Sequence, residues 1–447
     1  MNSMKEVSGF SKLNKRDKIS WLAKNFLYHN PLDVAKQFAS FWHDEVEKQK
    51  LFDGFSENTL TNFYLPFGVA PNFLINDKIY CVPMVTEESS VVAASSKAAK
   101  FWLNRGGFKA KVISSVKIGQ VHFSFNGDHR KLNTFFKRKK DVFFDGIKHL
   151  TANMEKRGGG VRDIQLLDFS HLEENYYQLK VSFETCDSMG ANFINSILEQ
   201  LALILREEAS KYESFTGKEK DIEVIMSILS NYTPDCVVEC EVSCPVEELH
   251  ENSHQMLPDD FARRFVKAVN IANFDVHRAT THNKGILNGI DAVVIATGND
   301  FRAVEACVHT YAAMSGTYKS LTIAEVTDGI FKFKIRVPLA LGTVGGLTNL
   351  HPMAKTSLDI LGNPSAAELM MVTAATGLAQ NFGAIRSLVT TGIQYGHMKM
   401  HLSNILAQLK ASEEEVIKVQ EYFVDKIVSF SAVREFLELI RTKSYKV

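Results

Sequence analysis

Apolar and polar positions follow clear periods between Lys111 and Tyr232. Alternation with period two predicts half-buried strands, and apolar residues at every third or fourth position predict amphipathic helices. The predicted strands are VISSVKIGQVHFSF, VRDIQLLDF, YYQLKVSFETC and DIEVIMSILSNY, and the predicted helices are the charged stretch from about Asp128 to Arg157 and SMGANFINSILEQLALILREEASKY. In chain order these segments predict β-α-β-β-α-β, the split βαβ arrangement of ferredoxin-like domains.

The flanking segments mix strand and helix periods, which predicts one larger domain interrupted by the smaller one. The Asp328-Gly329 pair predicts a hairpin turn between TYKSLTIAEV and IFKFKIRVPL. Helical periods dominate from Ser365 onward, and Ser412 followed by Glu415 has the form of a capping box. We predict an α+β fold with a large domain at 1–110 and 221–380, an inserted ferredoxin-like domain at 111–220 and a helical C-terminal domain at 381–447.

The charge of the chain limits its binding partners. Lys and Arg number 51, as do Asp and Glu, so the formal net charge of the 447 residues is zero. This balance leaves no excess of cations to hold a polyphosphate backbone, which argues against nucleic-acid binding. No stretch offers the roughly 20 apolar residues of a membrane span, and MNSMKEVSGFSKLNKRDKISW lacks the apolar core of a signal peptide. We expect a cytoplasmic protein without a membrane partner.

Cysteine and histidine spacing raises the question of a metal site. Cys236, Cys240 and Cys244 recur every four residues in a segment with strand alternation, which separates consecutive sulfur atoms by roughly 13 Å. One ion cannot join sulfur atoms that far apart, so small side chains buried on one sheet face are favoured. His397 and His401 have the helical spacing of HExxH zinc ligands, but no glutamate follows His397. A zinc site and a single histidine titrating near neutral pH both remain open.

The segment DSMGAN lies where a predicted strand ends and a long helix begins. Free backbone N–H groups and the positive end of the helix dipole favour a phosphate group at such a junction, and Gly190 lets a ligand approach the backbone. The alternative is that Asp187 is an ordinary N-cap of the helix. Both interpretations fit the residues equally well.

Two further segments carry charged residues beside apolar ones. PMVTEESSVVAAS has Glu87 and Glu88 before a run expected to be buried, so either carboxyl is a candidate general acid or a favourable charge at a helix N-terminus. THNKGILNGIDAVVIATGND is predicted to be a buried helix-and-strand segment with Lys284 at one end and Asp300 at the other. The lysine is either exposed without a role or partly buried and chemically tuned.

These segments, together with LALGTVGGLTNLHP and GHMKMH and in this order, resemble 3-hydroxy-3-methylglutaryl-CoA reductases of the bacterial, class II type. The resemblance begins at SGFSKL, includes ENTLTNFYLPFGVAPN and reaches the C-terminal helices. It implies four-electron reduction of (S)-3-hydroxy-3-methylglutaryl-CoA to mevalonate and free CoA with two NAD(P)H, in the mevalonate pathway to isoprenoids. It also implies a CoA-binding large domain, a dinucleotide-binding inserted domain, a C-terminal flap and no metal. The active site would lie at a homodimer interface, with a higher oligomer of dimers left open.

The resemblance further implies roles for individual residues. Lys284 would be the catalytic lysine and Asp300 the aspartate hydrogen-bonded to it, which agrees with the need for a fixed cation beside the oxyanion formed by hydride addition. Glu88, with Glu87 as the alternative, would be the catalytic glutamate, and His397 would protonate the CoA thiolate. The substrate-binding residues implied are Arg278 and Ser90, for the free carboxylate, and Asn288 and Asn231. The dinucleotide would contact Asp187, Met189, Gly190 and Asn192.

Cofactor preference depends on the segment HLTANMEKRGGG. NADH-preferring relatives carry an aspartate shortly before the glycines, where it accepts from a ribose hydroxyl and repels a phosphate. Thr151 occupies the nearest position here, with Lys156 and Arg157 beyond it, so we predict NADPH rather than NADH. Three alternatives remain: oxidation of mevalonate by the same enzyme, a zinc hydrolase using His397 and His401, and a catalytically silent homologue.

Overall fold

The computed structural model describes residues 7–27, 29–250, 256–390, 402–403, 405–423, 426 and 428–444. The chain divides into two compact units, Met1–Pro66 and Phe67–Val447. The first unit contains the helices α1 Lys15–Leu22, α2 Pro31–Ala39 and α3 Val46–Asp53. Its small core consists of Ile19, Ala23 and Val34 with partly buried neighbours such as Phe38 and Trp42.

The second unit contains ten strands and eleven named helices within the described ranges. The strands are β1 Phe67–Ile75, β2 Lys78–Val85, β3 Lys109–Ser115, β4 Lys117–Ser124, β5 Gly160–Asp168, β6 Tyr176–Glu184, β7 Glu223–Leu229, β8 Cys236–Pro245, β9 Thr322–Thr327 and β10 Ile330–Pro338. The helices are α4 Val91–Leu103, α5 His129–Glu155, α6 Ala191–Lys211, α7 Pro258–Ile271, α8 Val276–Ala296, α9 Phe301–Ala312, α10 Leu347–Leu350, α11 Pro352–Ile360, α12 Ala366–Val389, α13 Glu413–Tyr422 and α14 Phe430–Ser444.

The large domain is built on an antiparallel sheet with strand order β3-β8-β10-β9. One face of the sheet contributes buried side chains to a core that also contains α12 and α8. The predicted hairpin between β9 and β10 is confirmed, and both Asp328 and Gly329 have positive φ in the turn. The strand prediction for the three cysteines is also confirmed, because Cys236, Cys240 and Cys244 are all buried on β8.

The inserted domain has the predicted β-α-β-β-α-β order and a sheet arranged β5-β6-β4-β7. All its strand pairs are antiparallel, as in ferredoxin-like domains. Helices α5 and α6 pack together and against the sheet, and their apolar faces form a separate core. The α+β prediction is therefore confirmed, with a second core in the inserted unit.

Strand pairing shifts the predicted boundaries of the inserted domain. The segment predicted as one strand, VISSVKIGQVHFSF, is two strands separated at Val116, and β3 belongs to the large sheet while β4 belongs to the small one. At the other end, β7 completes the small sheet beyond residue 220. The inserted domain thus extends from Lys117 to at least Leu229. The sequence could not predict these bounds, because alternation along a strand carries no information about its pairing partner.

The segment after Lys284 is one helix, so the prediction of a helix followed by a strand is wrong. Helix α8 runs through the β-branched residues to Ala296 and packs closely on α12. Gly289 makes this packing possible, because a Cβ there would lie 2.7 Å from the carbonyl oxygen of Thr376. Burial against α12 and other elements made this apolar run resemble a buried strand.

The C-terminal region is helical in its described parts. The capping box at Ser412 and Glu415 is confirmed at the start of α13. Helices α13 and α14 share a small apolar core that includes Val419 and Leu437. The segment GHMKMH, with His397 and His401, lies outside the described residues. In the described ranges, every helix is too short or too polar to cross a bilayer.

Candidate active site

Lys284, Glu88 and Asn288 form a polar cluster on the large domain. The Lys284 Nζ donates a hydrogen bond to Glu88 Oε2 at 2.5 Å, and the Asn288 Nδ2 donates to the same oxygen at 3.3 Å. Lys284 and Asn288 are one turn apart on α8, whereas Glu88 follows β2. The Lys284 and Glu88 side chains are 59% and 40% exposed, so the cluster is open to a ligand. Of the two adjacent glutamates, Glu88 makes this contact.

The loop that carries Glu88 has a constrained backbone. The Glu88 N–H donates to Thr86 Oγ1 at 3.2 Å, and Ser90 adopts φ of 77° as the N-cap of α4. Positive φ is uncommon outside glycine, and such residues concentrate at functional sites. The carbonyl oxygen of Ser90 accepts the Ala94 N–H at 2.8 Å, which attaches the loop to the first turn of α4. The turn therefore presents Glu88 and Ser90 together beside α8.

Arg278 lies in the first turn of α8, where the Asp275 side chain accepts its backbone N–H at 3.3 Å. Six residues of helix separate it from Lys284, roughly 9 Å along the axis. Burial lowers the pKa of the Arg278 guanidinium, and the charge of Asp275 opposes that shift. A partly buried guanidinium at this distance is suited to bind a carboxylate at the far end of a small substrate.

A cleft of about 830 Å³ lies where the inserted domain meets the large domain. Its walls are formed by residues 188–193, by the segment from Gly298 to Arg302 and by residues from Gly342 to Thr348. Ligand pockets commonly measure about 300–1,000 Å³, so the cleft is large enough for a cofactor. It contains Met189, Gly190 and Asn192, three of the residues predicted to contact the dinucleotide.

The N-terminus of α6 opens into this cleft. Gly190 is its N-cap, with φ of 86° and no side chain that could cap the first-turn N–H groups. A Cβ at this position would lie 2.5 Å from the Thr185 side chain, so only glycine fits without rearrangement. N–H groups at the positive end of a helix dipole form an anion-binding site.

Asp187 anchors the loop and does not line the cleft. Its Oδ1 accepts the Ala366 N–H at 2.7 Å at the start of α12, and its carbonyl oxygen accepts the Thr343 N–H at 2.8 Å. The alternative that Asp187 caps α6 is wrong, because Gly190 is the N-cap, and the contact of Asp187 with the cofactor stays a prediction. The carboxylate ties the loop to the large domain instead.

Lys117 is a second anchor of this loop, and sequence reasoning missed it. Its Nζ donates to the carbonyl oxygen of Ser188 at 2.7 Å and to Thr185 Oγ1 at 2.5 Å. The lysine is 5% exposed, and burial lowers its pKa. The sequence did carry a signal, since Lys117 is a lone lysine among the apolar residues of a predicted strand. Such a lysine is expected to be buried, and a buried amine needs hydrogen-bond acceptors nearby.

Asp300 lies in the cleft and not beside Lys284. As the N-cap of α9 its Oδ1 accepts the N–H groups of Arg302 at 3.1 Å and Ala303 at 3.2 Å. Lys284 precedes the end of α8 by twelve residues, roughly 18 Å of helix. The expected hydrogen bond between Lys284 and Asp300 is therefore absent within the described chain, because the second half of α8 separates the two residues.

The remaining predicted residues lie elsewhere. Thr151 is 1% exposed on the core face of α5 and donates to Glu155 Oε1 at 2.5 Å, so the prediction that it selects the cofactor at the ribose is wrong. Asn231 lines a separate cavity of about 30 Å³ with Lys117 and Met189. His397 lies outside the described residues. Within the described ranges, no group of three or more His, Cys, Asp and Glu side chains is arranged to hold a metal ion.

Comparisons with known proteins agree on one family. The family described as "Hydroxymethylglutaryl-coenzyme A reductase" matches residues 20–402. A 3-hydroxy-3-methylglutaryl-coenzyme A reductase of Archaeoglobus fulgidus is 35% identical over 98% of this chain and 92% of its own length. A probable reductase of the same name from Borreliella burgdorferi is 32% identical over 91% of both chains.

Solved structures give the same result. The reductase of Streptococcus pneumoniae matches with a TM-score of 0.71 and 33% identity, covering 97% of this chain and 100% of that one. A structure of the class II enzyme from the same organism, bound to NADPH in open conformations, matches with a TM-score of 0.70 and 34% identity over 92% of this chain and 98% of that one.

Proposed function

This chain belongs to the hydroxymethylglutaryl-coenzyme A reductase family, and we propose that it reduces 3-hydroxy-3-methylglutaryl-CoA to mevalonate and free CoA. The observation that carries the proposal is the hydrogen-bonded cluster of Lys284, Glu88 and Asn288. It places an ammonium, a carboxyl group and an amide around one accessible point, which is the set of groups that carbonyl reduction requires.

The reaction takes place in two reductive steps, each consuming one proton. Reduced nicotinamide dinucleotide supplies the hydride in both. Hydride addition places negative charge on the thioester oxygen, and the ammonium of Lys284 stabilises that charge. Glu88 is hydrogen-bonded to Lys284, so a proton can pass from the pair to the oxygen and form a hemithioacetal. The second hydride converts the mevaldehyde carbonyl to the alcohol at the same groups.

Between the two reductions the hemithioacetal hydroxyl returns its proton to the Lys284–Glu88 pair, the aldehyde carbonyl forms and the carbon–sulfur bond breaks, with the electron pair leaving on the CoA sulfur. The thiolate needs a proton, and we assign its delivery to His397, because imidazole titrates near neutral pH. At the other end of the substrate, Arg278 and Ser90 bind the free carboxylate, with the guanidinium able to form two parallel hydrogen bonds. The positive charge at the reacting carbonyl comes from Lys284, so no step in this mechanism uses a metal.

The cleft at the start of α6 fits a dinucleotide. Gly190 has no side chain to cap the first-turn N–H groups of α6, which leaves them available to bind an anionic group of the cofactor. Met189, Gly190 and Asn192 would hold the cofactor there. We propose NADPH as the donor, supported by the NADPH-bound Streptococcus pneumoniae relative.

We also propose a homodimer in which each active site takes residues from both copies. Asp300 lies at the cofactor cleft, and Lys284 of the same chain lies within α8, twelve residues before the end of that helix. In a dimer with a two-fold axis, Lys284 of each copy can contact Asp300 of the other copy, because such interfaces are reciprocal. The cofactor cleft and the substrate cluster would then meet across the interface.

The test is incubation of the purified protein with hydroxymethylglutaryl-CoA and either NADPH or NADH. We expect two reduced nicotinamides to be oxidised for each CoA thiol released, with mevalonate as the product. Thiol release without nicotinamide oxidation would indicate a hydrolase and contradict the proposal. Insensitivity to metal chelators would separate the reductase from a zinc enzyme based on His397 and His401, which no observation on the described residues favours.

A further inference from the structure

The Arg302 guanidinium donates hydrogen bonds to both carboxylate oxygen atoms of Asp300. The Arg302 Nε donates to Oδ1 at 3.2 Å, and its Nη2 donates to Oδ2 at 3.3 Å. Oδ1 also accepts the backbone N–H groups of Arg302 and Ala303. The backbone hydrogen bonds reach only one carboxylate oxygen, so they leave the carboxylate free to rotate. The two hydrogen bonds from Arg302 fix the plane of the carboxylate.

Stability does not explain this contact. The Arg302 side chain is 78% exposed and that of Asp300 is 33% exposed. Ion pairs at such exposure contribute at most about 1 kcal/mol and commonly less. The backbone bonds from the first turn of α9 already cap the helix. The contact is better explained by what it does to the carboxylate in the cleft.

Asp300 and Arg302 are the only charged side chains among the described residues that line the cleft. The segments facing them, from α6, from the end of α8 and from the loop before α10, contribute apolar and neutral polar residues. Asp291 and Glu305 form a carboxyl pair between α8 and α9, but neither lines the cleft. Arg302 is thus the described cation that lines the cleft and pairs with Asp300.

The proposed cofactor makes this balance of charge important. Burial raises the pKa of Asp300, and the hydrogen bonds from Arg302 and Ala303 outweigh that effect, leaving the pKa below its ordinary value. The diphosphate of a bound dinucleotide adds negative charge to the same cleft and favours protonation of a neighbouring carboxylate. A cation paired with Asp300 opposes this protonation.

We propose that Arg302 is a positioning residue that keeps Asp300 ionised and oriented in the cofactor cleft. The inference rests on the proposed function, since it concerns the readiness of Asp300 to accept a hydrogen bond from Lys284 of a second copy. In each protomer the Asp300 carboxylate is then ionised and oriented before Lys284 of the other copy contacts it. Arg302 itself makes no contact with reacting atoms in this arrangement.

The test compares Arg302→Gln and Arg302→Lys with the wild type in the pH dependence of kcat and of kcat/KM for NADPH. Arg302→Gln removes the charge, so we expect the acid limb of kcat to move up by about one pH unit, a tenfold loss of rate on that limb. Arg302→Lys should recover part of the loss, because an amine restores the charge without the two-pronged contact. The KM for NADPH should change less than kcat on the acid limb.

Arg263→Gln is the matched control, because Arg263 also pairs with a carboxylate, Asp260, at 2.9 Å on an exposed helix face. It should behave as the wild type. An Arg302→Gln enzyme with an unchanged acid limb would overturn the inference. A raised KM for NADPH with normal kcat and pH profile would do the same, and would make Arg302 a ligand of the cofactor phosphate instead.

A second measurement decides the inference without turnover. Protein labelled with ¹³C at aspartate carboxyl groups is titrated by NMR, and the Asp300 signal is identified by its loss in Asp300→Asn. Arg302→Gln should raise the pKa of the Asp300 carboxyl, and an unchanged titration would overturn the inference. This result is separate from the proposed function, which fails if the wild-type protein does not oxidise NADPH with hydroxymethylglutaryl-CoA.

Discussion

Lys284 lies within α8 and Asp300 follows the C-terminal end of that helix, and the described chain gives each a different ionic partner. Lys284 donates to Glu88, and Asp300 accepts from Arg302. Twelve residues of α8 follow Lys284, roughly 18 Å of rigid backbone, so bending cannot bring the two side chains together. Any contact between a lysine and an aspartate of this pair has to involve two copies of the chain.

Mixed dimers test this arrangement. Lys284→Ala should lose about 10²–10³ in rate, because it removes the group that faces the oxyanion. Asp300→Asn should also be impaired, because it removes the charge that keeps the lysine protonated and oriented. Random mixing of the two variants produces dimers with one intact site and one doubly substituted site, so about a quarter of wild-type activity should return. Activity is measured after co-expression, with each variant alone as the control. No recovery, with dimers demonstrated by sedimentation, would contradict a shared site.

Substitution of the adjacent glutamates distinguishes their roles. Glu88→Gln removes the carboxylate that Lys284 and Asn288 contact, whereas Glu87→Gln leaves that cluster intact. We expect kcat to fall about a hundredfold or more for Glu88→Gln, the range for loss of a general acid, and to change little for Glu87→Gln. Steady-state kinetics at saturating substrate provide the comparison. Equal losses in both variants would assign the effect to the loop and not to the carboxyl group.

The role of Asp187 as an anchor predicts a contrast between two substitutions. Asp187→Asn retains an oxygen that can accept the Ala366 N–H, so it should bind the cofactor nearly as the wild type does. Asp187→Ala leaves that N–H without its acceptor, at a cost of about 1 kcal/mol in stability, and should weaken NADPH binding by loosening the loop. Fluorescence titration with NADPH measures the affinity of each. If the two variants are equally impaired, the charge of Asp187 acts on the cofactor directly.

Asp291 predicts a dependence of stability on pH. Burial and the neighbouring charge of Glu305 raise the pKa of Asp291 to about 8, and its Oδ1 is buried without a hydrogen-bond partner among the described residues. Because the folded state binds this proton more tightly than the unfolded state, the stabilising contribution is complete below about pH 4 and is lost as pH rises through 8. Protonation thus stabilises the fold, and ionisation destabilises it.

Asp291→Asn removes this titration. The variant should exceed the wild type in free energy of unfolding by a few kcal/mol near pH 8, roughly 1.4 kcal/mol for each pH unit above the unfolded pKa, with a smaller difference near pH 5. Urea unfolding at both pH values measures the difference. Asp145→Asn, at an exposed position on α5 beside Lys148, is the control and should show no such trend. A difference that is independent of pH would show that Asp291 stays ionised in the folded protein.

Local signals in the sequence determined several features correctly. Alternation and helical periods identified the order of elements in the inserted domain, because side-chain periodicity reflects which face of each element is buried. The Asp328-Gly329 hairpin and the capping box at Ser412 follow from backbone preferences that act over four residues. The resemblance of DSMGAN and its companion segments to one family pointed to Met189, Gly190 and Asn192, which line the cleft, and to the cluster at Lys284.

Tertiary structure decided what depends on partners distant in sequence. Only strand pairing divided the segment around Val116 between two sheets, and only packing against α12 made residues up to Ala296 a helix. The side chain of Thr151 could face a ligand or the protein, and its burial and its contact with Glu155 direct it to the protein. Asp300 and Lys284 are near in sequence but separated by a rigid helix, because α8 adds about 1.5 Å for every residue between them.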